Sequence, residues 1–266
     1  MADHFNRYAL KHFAATVAEC MELPLPEEYA PSVPWAVNIL KQRLGGKADR
    51  VVAYHADAVG QYIWQKYTHL LAPVYANTTL ALPFVSTVES VTPVAHASMY
   101  TGLDPEGHGI QTYVRPRLEC STLFDVLLAA GRRPVIIAQA DSTFLHIFAG
   151  RSLPYFECAN AMEVTEKAIE VIQSGEYDFL SIHTFDYDNA AHAYGPESKE
   201  GLNAVALEAE NFARIADTVR STWPDERVLL TYSPDHGQHL TAGGSGAHGS
   251  RMIEDMNILH FFGAAK

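Results

Sequence analysis

The sequence predicts an α/β fold in three layers, with a mostly parallel central sheet covered on both faces by helices. Three observations predict it. From residue 121 onward, short apolar runs alternate with longer stretches of helical periodicity, the pattern of strands joined by crossover helices. Three of the apolar runs pass directly into loops rich in Asp and His, and open α/β sheets carry their ligands beyond the carboxyl ends of the strands. Finally, the 266 residues contain no internal repeat, low-complexity tract or obvious linker, so they are expected to form a single domain over 1–266 with at most a small cap or insert.

Element by element, residues 6–21 have helical spacing, with Leu10, Phe13, Val17 and Cys20 near one face. A Pro-rich stretch at 23–34 breaks that helix, and a second runs over 35–44 to Gly45-Gly46. Residues 50–57 read as a buried strand ending at Asp57, followed by a helix at 59–67. A second strand at 79–88 leads to Thr92-Pro93, where a helix over 94–100 is expected to begin; Pro suits a first helical turn because its missing N–H is not needed there. Helices at 122–130, 161–174 and 201–222 then alternate with strands at 134–138, 177–184 and 227–232.

Composition narrows the function. A formal net charge of -12 with no dense Lys/Arg run argues against nucleic acid as a stable partner. Hydrophobic residues make up 48% and charged residues 19%, a globular composition. No run approaches the length of a membrane span, and the polar first ten residues lack the apolar core of a secretory signal. Cys20, Cys120 and Cys158 are few, odd in number and far apart, which fits a reducing compartment rather than a disulfide framework. A cytoplasmic protein without a membrane partner is expected; nothing in the sequence speaks to oligomeric state.

The chemistry gathers at the predicted strand ends. Asp57 closes the first strand, Asp186, Asp188 and His192 follow the strand at 177–184, and Asp235-His236 follows the strand at 227–232. A helical turn puts Asp188 and His192 on one side, and Pro234 and Gly237 permit the bend that Asp235 and His236 need to share an ion. His248 lies between small neighbours in Gly246-Ala247-His248-Gly249. Oxygen and imidazole donors without thiolate suit Zn, Mn or Fe better than a Cys-rich structural zinc. Each residue also has a plain structural reading. Asp57 and Thr92 could cap helices, Asp188 and His192 could be an exposed polar pair, and His236 and His248 could be ordinary loop histidines.

Taken in order, these segments resemble the nucleotide pyrophosphatase/phosphodiesterase branch of the alkaline phosphatase superfamily. Residues 91–102 with His108-Gly109-Ile110 look like its nucleophile segment. Asp188 to His192 with Tyr194-Gly195-Pro196, Asp235-His236-Gly237, and His248-Gly249 look like its later elements. Short motifs recur by chance, but these four together with Asp57 make five in one order over residues 50–250, which is a specific signal. The resemblance implies an alkaline phosphatase-like fold and two divalent cations, Zn or else Mn. Asp188, His192 and His248 would hold one; Asp57, Asp235, His236 and Thr92 would hold the other. Thr92 is then the implied catalytic nucleophile for a small phosphorylated substrate, through a phosphothreonine intermediate.

One position departs from that pattern. The branch carries an Asn three residues after its nucleophile, and this chain has Ala95, with His96 beside it as either a replacement donor or a core residue. A monoester would want an additional cation, for which Arg115, Arg117 and Arg151 are candidates. The expected activity is therefore phosphomonoesterase or phosphodiesterase. Phosphonate hydrolysis at the same site, or metal and phosphate binding without turnover, are the alternatives. His55, His183, Asp186 and His239 are expected behind the ligands, His108 to fix its loop, and Met99 and Tyr100 in the core.

Overall fold

Apolar residues alternate along the strands between two separate helical layers, and this alternation makes the architecture. The computed structural model describes residues 4–265. Its strands are β1 (Tyr8–Ala9), β2 (Arg50–Ala56), β3 (Leu80–Val85), β4 (Pro134–Gln139), β5 (Tyr155–Cys158), β6 (Phe179–Thr184), β7 (Val228–Tyr232), β8 (His239–Leu240), β9 (Gly246–Ala247) and β10 (Asn257–Ala265). Eight of them form one sheet in the order β1-β3-β10-β7-β2-β6-β4-β5, and β8 and β9 pair as a small hairpin. Only β10 runs against the rest, antiparallel to both β3 and β7.

In β2, Val51 and Ala53 face one core, while Val52, Tyr54 and Ala56 face the other; in β4, Ile136 and Ala138 divide in the same way from Val135 and Ile137. The first core packs against helices His12–Met21, Pro34–Leu44 and Thr92–Thr101, the second against Ala161–Ser174 and Lys199–Thr222. A sheet buried on both faces needs apolar strands without a polar side, which is why the strands read as continuous apolar runs. The expected three-layer, mostly parallel α/β/α fold is the observed one.

Several details differ from the sequence expectation. The first helix begins at His12, because residues 8 and 9 form the edge strand β1 beside β3. Thr122 precedes its helix as a capping box with Asp125 instead of lying inside it. The sequence reading also had no strand for β5 or β10 and no helix at Thr143–Phe148. No helix is long and apolar enough to cross a membrane among the described residues.

Candidate active site

The parallel strands deliver their chemistry to one rim. Asp57 follows β2, Asp188 and His192 lie on helix Asp186–Tyr194 after β6, and Asp235 and His236 follow β7. Thr92 is reached from β3 and occupies the first residue of helix Thr92–Thr101, whose cap is Val91, so Thr92 is not itself the cap. Gly60 caps the helix after β2, which leaves the Asp57 carboxylate without that structural task. His248 follows β9, and its loop is stitched to the approach to Thr92. His248 Nδ1 lies 3.0 Å from the Ser90 carbonyl, and Gly249 N donates to Ser90 Oγ at 3.2 Å.

The seven residues implied as ligands or nucleophile are brought together. Asp188, His192 and His248 place one donor atom each within 4.8 Å of one another, and so do Asp57, Asp235 and His236. Thr92 Oγ1 donates to Asp57 Oδ2 at 3.2 Å and lies 3.3 Å from His236 Nε2. The two triads adjoin, with the His236 and His248 rings stacked at 4.2 Å between centroids. Asp57, Thr92 and Asp188 share one cleft of about 160 Å3. The Asp57 triad is buried, whereas the Asp188 triad sits at the rim with His192 exposed.

Each histidine in the triads turns the same nitrogen away. Nδ1 of His192, His236 and His248 lies 3.1, 3.1 and 3.0 Å from the carbonyls of Gly246, Gly237 and Ser90 respectively. A carbonyl can only accept, so Nδ1 carries the proton and Nε2 presents a lone pair to the triad. Asp235 Oδ1 is occupied by the amides of Ala58 and His236, at 3.2 and 3.0 Å. Its Oδ2, like Asp57 Oδ1, is buried without a hydrogen-bond partner.

Burial dominates the electrostatics. It pushes the Asp57 carboxyl well above its ordinary range, helped by the charges of Asp235 and Asp188, and raises Asp235 to about 7. Burial likewise lowers His236 to about 3 and His248 to about 4, so both rings are neutral near pH 7. Crowded carboxylates and neutral imidazoles with unclaimed lone pairs make a donor set that suits a divalent cation.

His96 does not reach the cleft. It is fully buried, with Nε2 3.5 Å from Asp235 Oδ2 and its ring edge-on to Phe144 at 4.7 Å. His183, expected behind the ligands, lines the cleft beside Asp57, its Nε2 3.3 Å from Asp57 Oδ2 and its Nδ1 3.0 Å from Ser142 Oγ. His55 is in the core, with Nε2 2.7 Å from the Tyr100 hydroxyl, and His239 pairs with Asp255 at 2.8 Å. Asp186 Oδ1 accepts from Gln139 at 2.8 Å. His108 Nε2 lies 3.0 Å from Ser98 Oγ, and its Nδ1 accepts from the Ile110 amide, which fixes that loop.

Sequence reasoning missed Gln238. Its Nε2 donates to the Asp188 carbonyl at 3.2 Å and to Asp188 Oδ1, although it is 50 positions away. No motif marks such a residue, since any amide or hydroxyl could do the same. Gln238→Ala should weaken metal binding at the Asp188 triad by about 10- to 100-fold while leaving the Asp57 triad much less affected. A two-site zinc titration measures both, and unchanged affinity at the rim would remove Gln238 from the site.

Gly237 shows how tightly the ligand loop is packed. A Cβ there would lie 2.0 Å from the Glu254 carbonyl oxygen and 2.8 Å from Gly60 Cα. Both obstacles are backbone, so Gly237→Ala should cost roughly 1–3 kcal/mol or more. The denaturation midpoint is the measurement, and a wild-type midpoint would contradict the packing.

Against known proteins, no family profile matches the chain, and no curated protein matches it in sequence. Its fold does match solved structures. Murine ectonucleotide pyrophosphatase/phosphodiesterase 5 superposes with a TM-score of 0.58 at 14% identity, over 73% of this chain and 59% of that one. The C-terminal periplasmic domain of phosphoethanolamine transferase EptC from Campylobacter jejuni gives a TM-score of 0.61 at 12% identity, over 82% of this chain and 80% of that domain. The fold is that of the alkaline phosphatase superfamily. Phosphonoacetate hydrolase from Sinorhizobium meliloti 1021 shares this alkaline phosphatase fold with a TM-score of 0.52 at 16% identity, over 75% of this chain and 59% of that one. The chain thus spans about three-fifths of the murine protein's length.

Proposed function

We propose that the protein is a metal-dependent hydrolase of phosphate esters with Thr92 as nucleophile. One observation carries this reading: the Thr92 hydroxyl touches the Asp57 triad, and Asp57, Thr92 and Asp188 of the adjoining triad line one cleft. Binding of a metal alone has no use for that hydroxyl. Other proteins with this fold include an inactive form of the murine enzyme solved in complex with AMP and the EptC periplasmic domain of Escherichia coli solved in complex with Zn.

The partnerless oxygens Asp57 Oδ1 and Asp235 Oδ2 are the test of fit for a cation, because buried carboxylate oxygens are otherwise hydrogen-bonded. Asp57, Asp235, His236 and Thr92 would hold one ion, and Asp188, His192 and His248 the other. Bound there, divalent cations would supply Lewis acidity, lowering the pKa of a hydroxyl and offsetting charge on the transferring phosphoryl group.

The chain itself positions the reaction. Starting helix Thr92–Thr101 fixes the Thr92 backbone, and the positive end of the helix dipole favours an anionic phosphoryl group beside it. In the first step Thr92 Oγ1 gives its proton to water and bonds to phosphorus as the ester P–O bond breaks, and the leaving alkoxide takes a proton back from water to depart as the alcohol. In the second step water attacks the phosphothreonine, its P–Oγ1 bond breaks, a proton from that water restores the Thr92 hydroxyl, and inorganic phosphate leaves, or a monoester where the substrate was a diester.

The test is turnover of p-nitrophenyl phosphate and bis-p-nitrophenyl phosphate after chelation and again after adding Zn or Mn, in wild type and Thr92→Ala. Metal-restored turnover confined to the wild type is expected. Equal silence in both proteins would favour a binding protein.

A further inference from the structure

One histidine of the cleft is turned the opposite way from the three in the triads. His183 lies on β6, and helix Thr143–Phe148 with its cap Ser142 holds the imidazole by face and edge. The Phe144 ring stacks on it, 5.1 Å between centroids and 7° from parallel. The Phe144 amide donates to Ser142 Oγ at 3.1 Å, and Ser142 Oγ lies 3.0 Å from His183 Nδ1. With its oxygen accepting from that amide, Ser142 has its hydroxyl proton to give, and Nδ1 accepts it.

The other ring nitrogen faces a carboxylate. Nε2 is buried with no other polar partner and lies 3.3 Å from Asp57 Oδ2. A lone pair there would meet the carboxylate oxygen in repulsion, so Nε2 carries the proton and turns its N–H toward Oδ2. Thr92 Oγ1 reaches the same oxygen at 3.2 Å. The second oxygen has no donor. Asp57 Oδ1 lies 3.3 Å from His236 Nε2, which lies 3.5 Å from Asp235 Oδ2. Three lone-pair atoms face one another there with no proton among them, an arrangement that suits a cation.

We propose that Ser142 and His183 are positioning residues that choose which oxygen of Asp57 meets the cation. The line from Ser142 Oγ through the His183 ring claims Oδ2 and leaves Oδ1 turned toward His236 and Asp235. This rests on the reading of the Asp57 triad as a metal site. Ser142 makes no hydrogen bond to a residue of either triad, so its hydroxyl acts through His183.

Calorimetric zinc titration of the chelator-stripped protein compares wild type with His183→Phe, Ser142→Ala and the two combined. The step that Asp235→Asn weakens most marks the buried site. Phe can stack on Phe144 but has no N–H, and zinc affinity at that site should fall about 10- to 100-fold, with the Asp188 triad unchanged. Ser142→Ala should cost about three- to tenfold, and the double variant no more than His183→Phe alone, because one residue works through the other. Ser142→Thr keeps a hydroxyl and His183→Gln an N–H, so each should bind zinc more tightly than Ser142→Ala and His183→Phe respectively. A merely structural role would weaken both sites and give losses that add. If His183→Phe does not fold, Ser142→Ala against Ser142→Thr still decides, since the loss must fall on the buried site alone. Additive losses, equal weakening of the two sites, or unchanged affinity would overturn the proposal. Should wild type show no zinc step that Asp235→Asn weakens, the metal reading itself fails, and the proposal with it.

Discussion

Thr92→Ala is expected to lower kcat on any ester the wild type hydrolyses by roughly 10^4-fold or more, the scale of losing an enzyme's nucleophile. The substitution removes one hydroxyl and one methyl from a residue that is 6% exposed, at the first position of a helix whose cap is Val91. Ala is a good helix former, and the Oγ1 bonds it deletes run only to Asp57 and His236. The fold and both triads should survive, so zinc titration of the variant should still find two sites. Thr92→Ser restores a hydroxyl at the same place and should recover much of the rate. Acid quenching of the wild type during turnover should leave one phosphoryl group on the peptide containing Thr92. A variant that keeps wild-type turnover would show that water attacks phosphorus directly, and the triads would need a different partner.

Much of this site was legible in the sequence because a parallel sheet is a simple device. Its strands end on one rim, so Asp57, Asp188 and Asp235, each just beyond an apolar run, had to meet whatever the details of packing. Small residues around His236 and His248 marked the loops that bend. What stayed hidden depends on tertiary contact. Strand β10 carries His260 within an apolar run at the end of the chain, and nothing local says that it lies antiparallel between β3 and β7. The two readings of His96 are separated only by its complete burial against Asp235 and Phe144. Arg115, Arg117 and Arg151 are the same residue type until the fold assigns them to two different cavities.

Metal loading should decide which of two opposite effects Asp235 has on stability. In the metal-free protein its carboxyl is raised from 3.8 to about 7, chiefly by burial. Below about pH 4 folded and unfolded chains both hold that proton. As pH rises from about 4 to about 7, the unfolded chain releases it while the folded chain keeps it, so Asp235 draws stability away across that window. His236 and His248 act in the other direction, since their folded pKa values, about 3 and about 4, lie below 6.5. Their stabilising contribution is present above pH 6.5 and is lost as pH falls. Comparison with Asp235→Asn removes their share, because both proteins carry the same histidines. The Asn keeps an acceptor for the amides of Ala58 and His236, and its Nδ2 can donate to His96 Nε2, which Asp235 Oδ2 faces at 3.5 Å. In chelator, the variant should match wild type near pH 4 and exceed it by on the order of 2–4 kcal/mol near pH 8, roughly 5–10 °C in Tm. Zinc should reverse the order. Each site filled at about 1,000 times its Kd contributes roughly 4.1 kcal/mol, and the variant loses a ligand of the buried site. Scanning calorimetry of both proteins with and without zinc measures every arm. A wild-type Tm that ignores zinc, or an Asp235→Asn variant that zinc stabilises as strongly as wild type, would mean that the buried carboxylates serve something other than a cation.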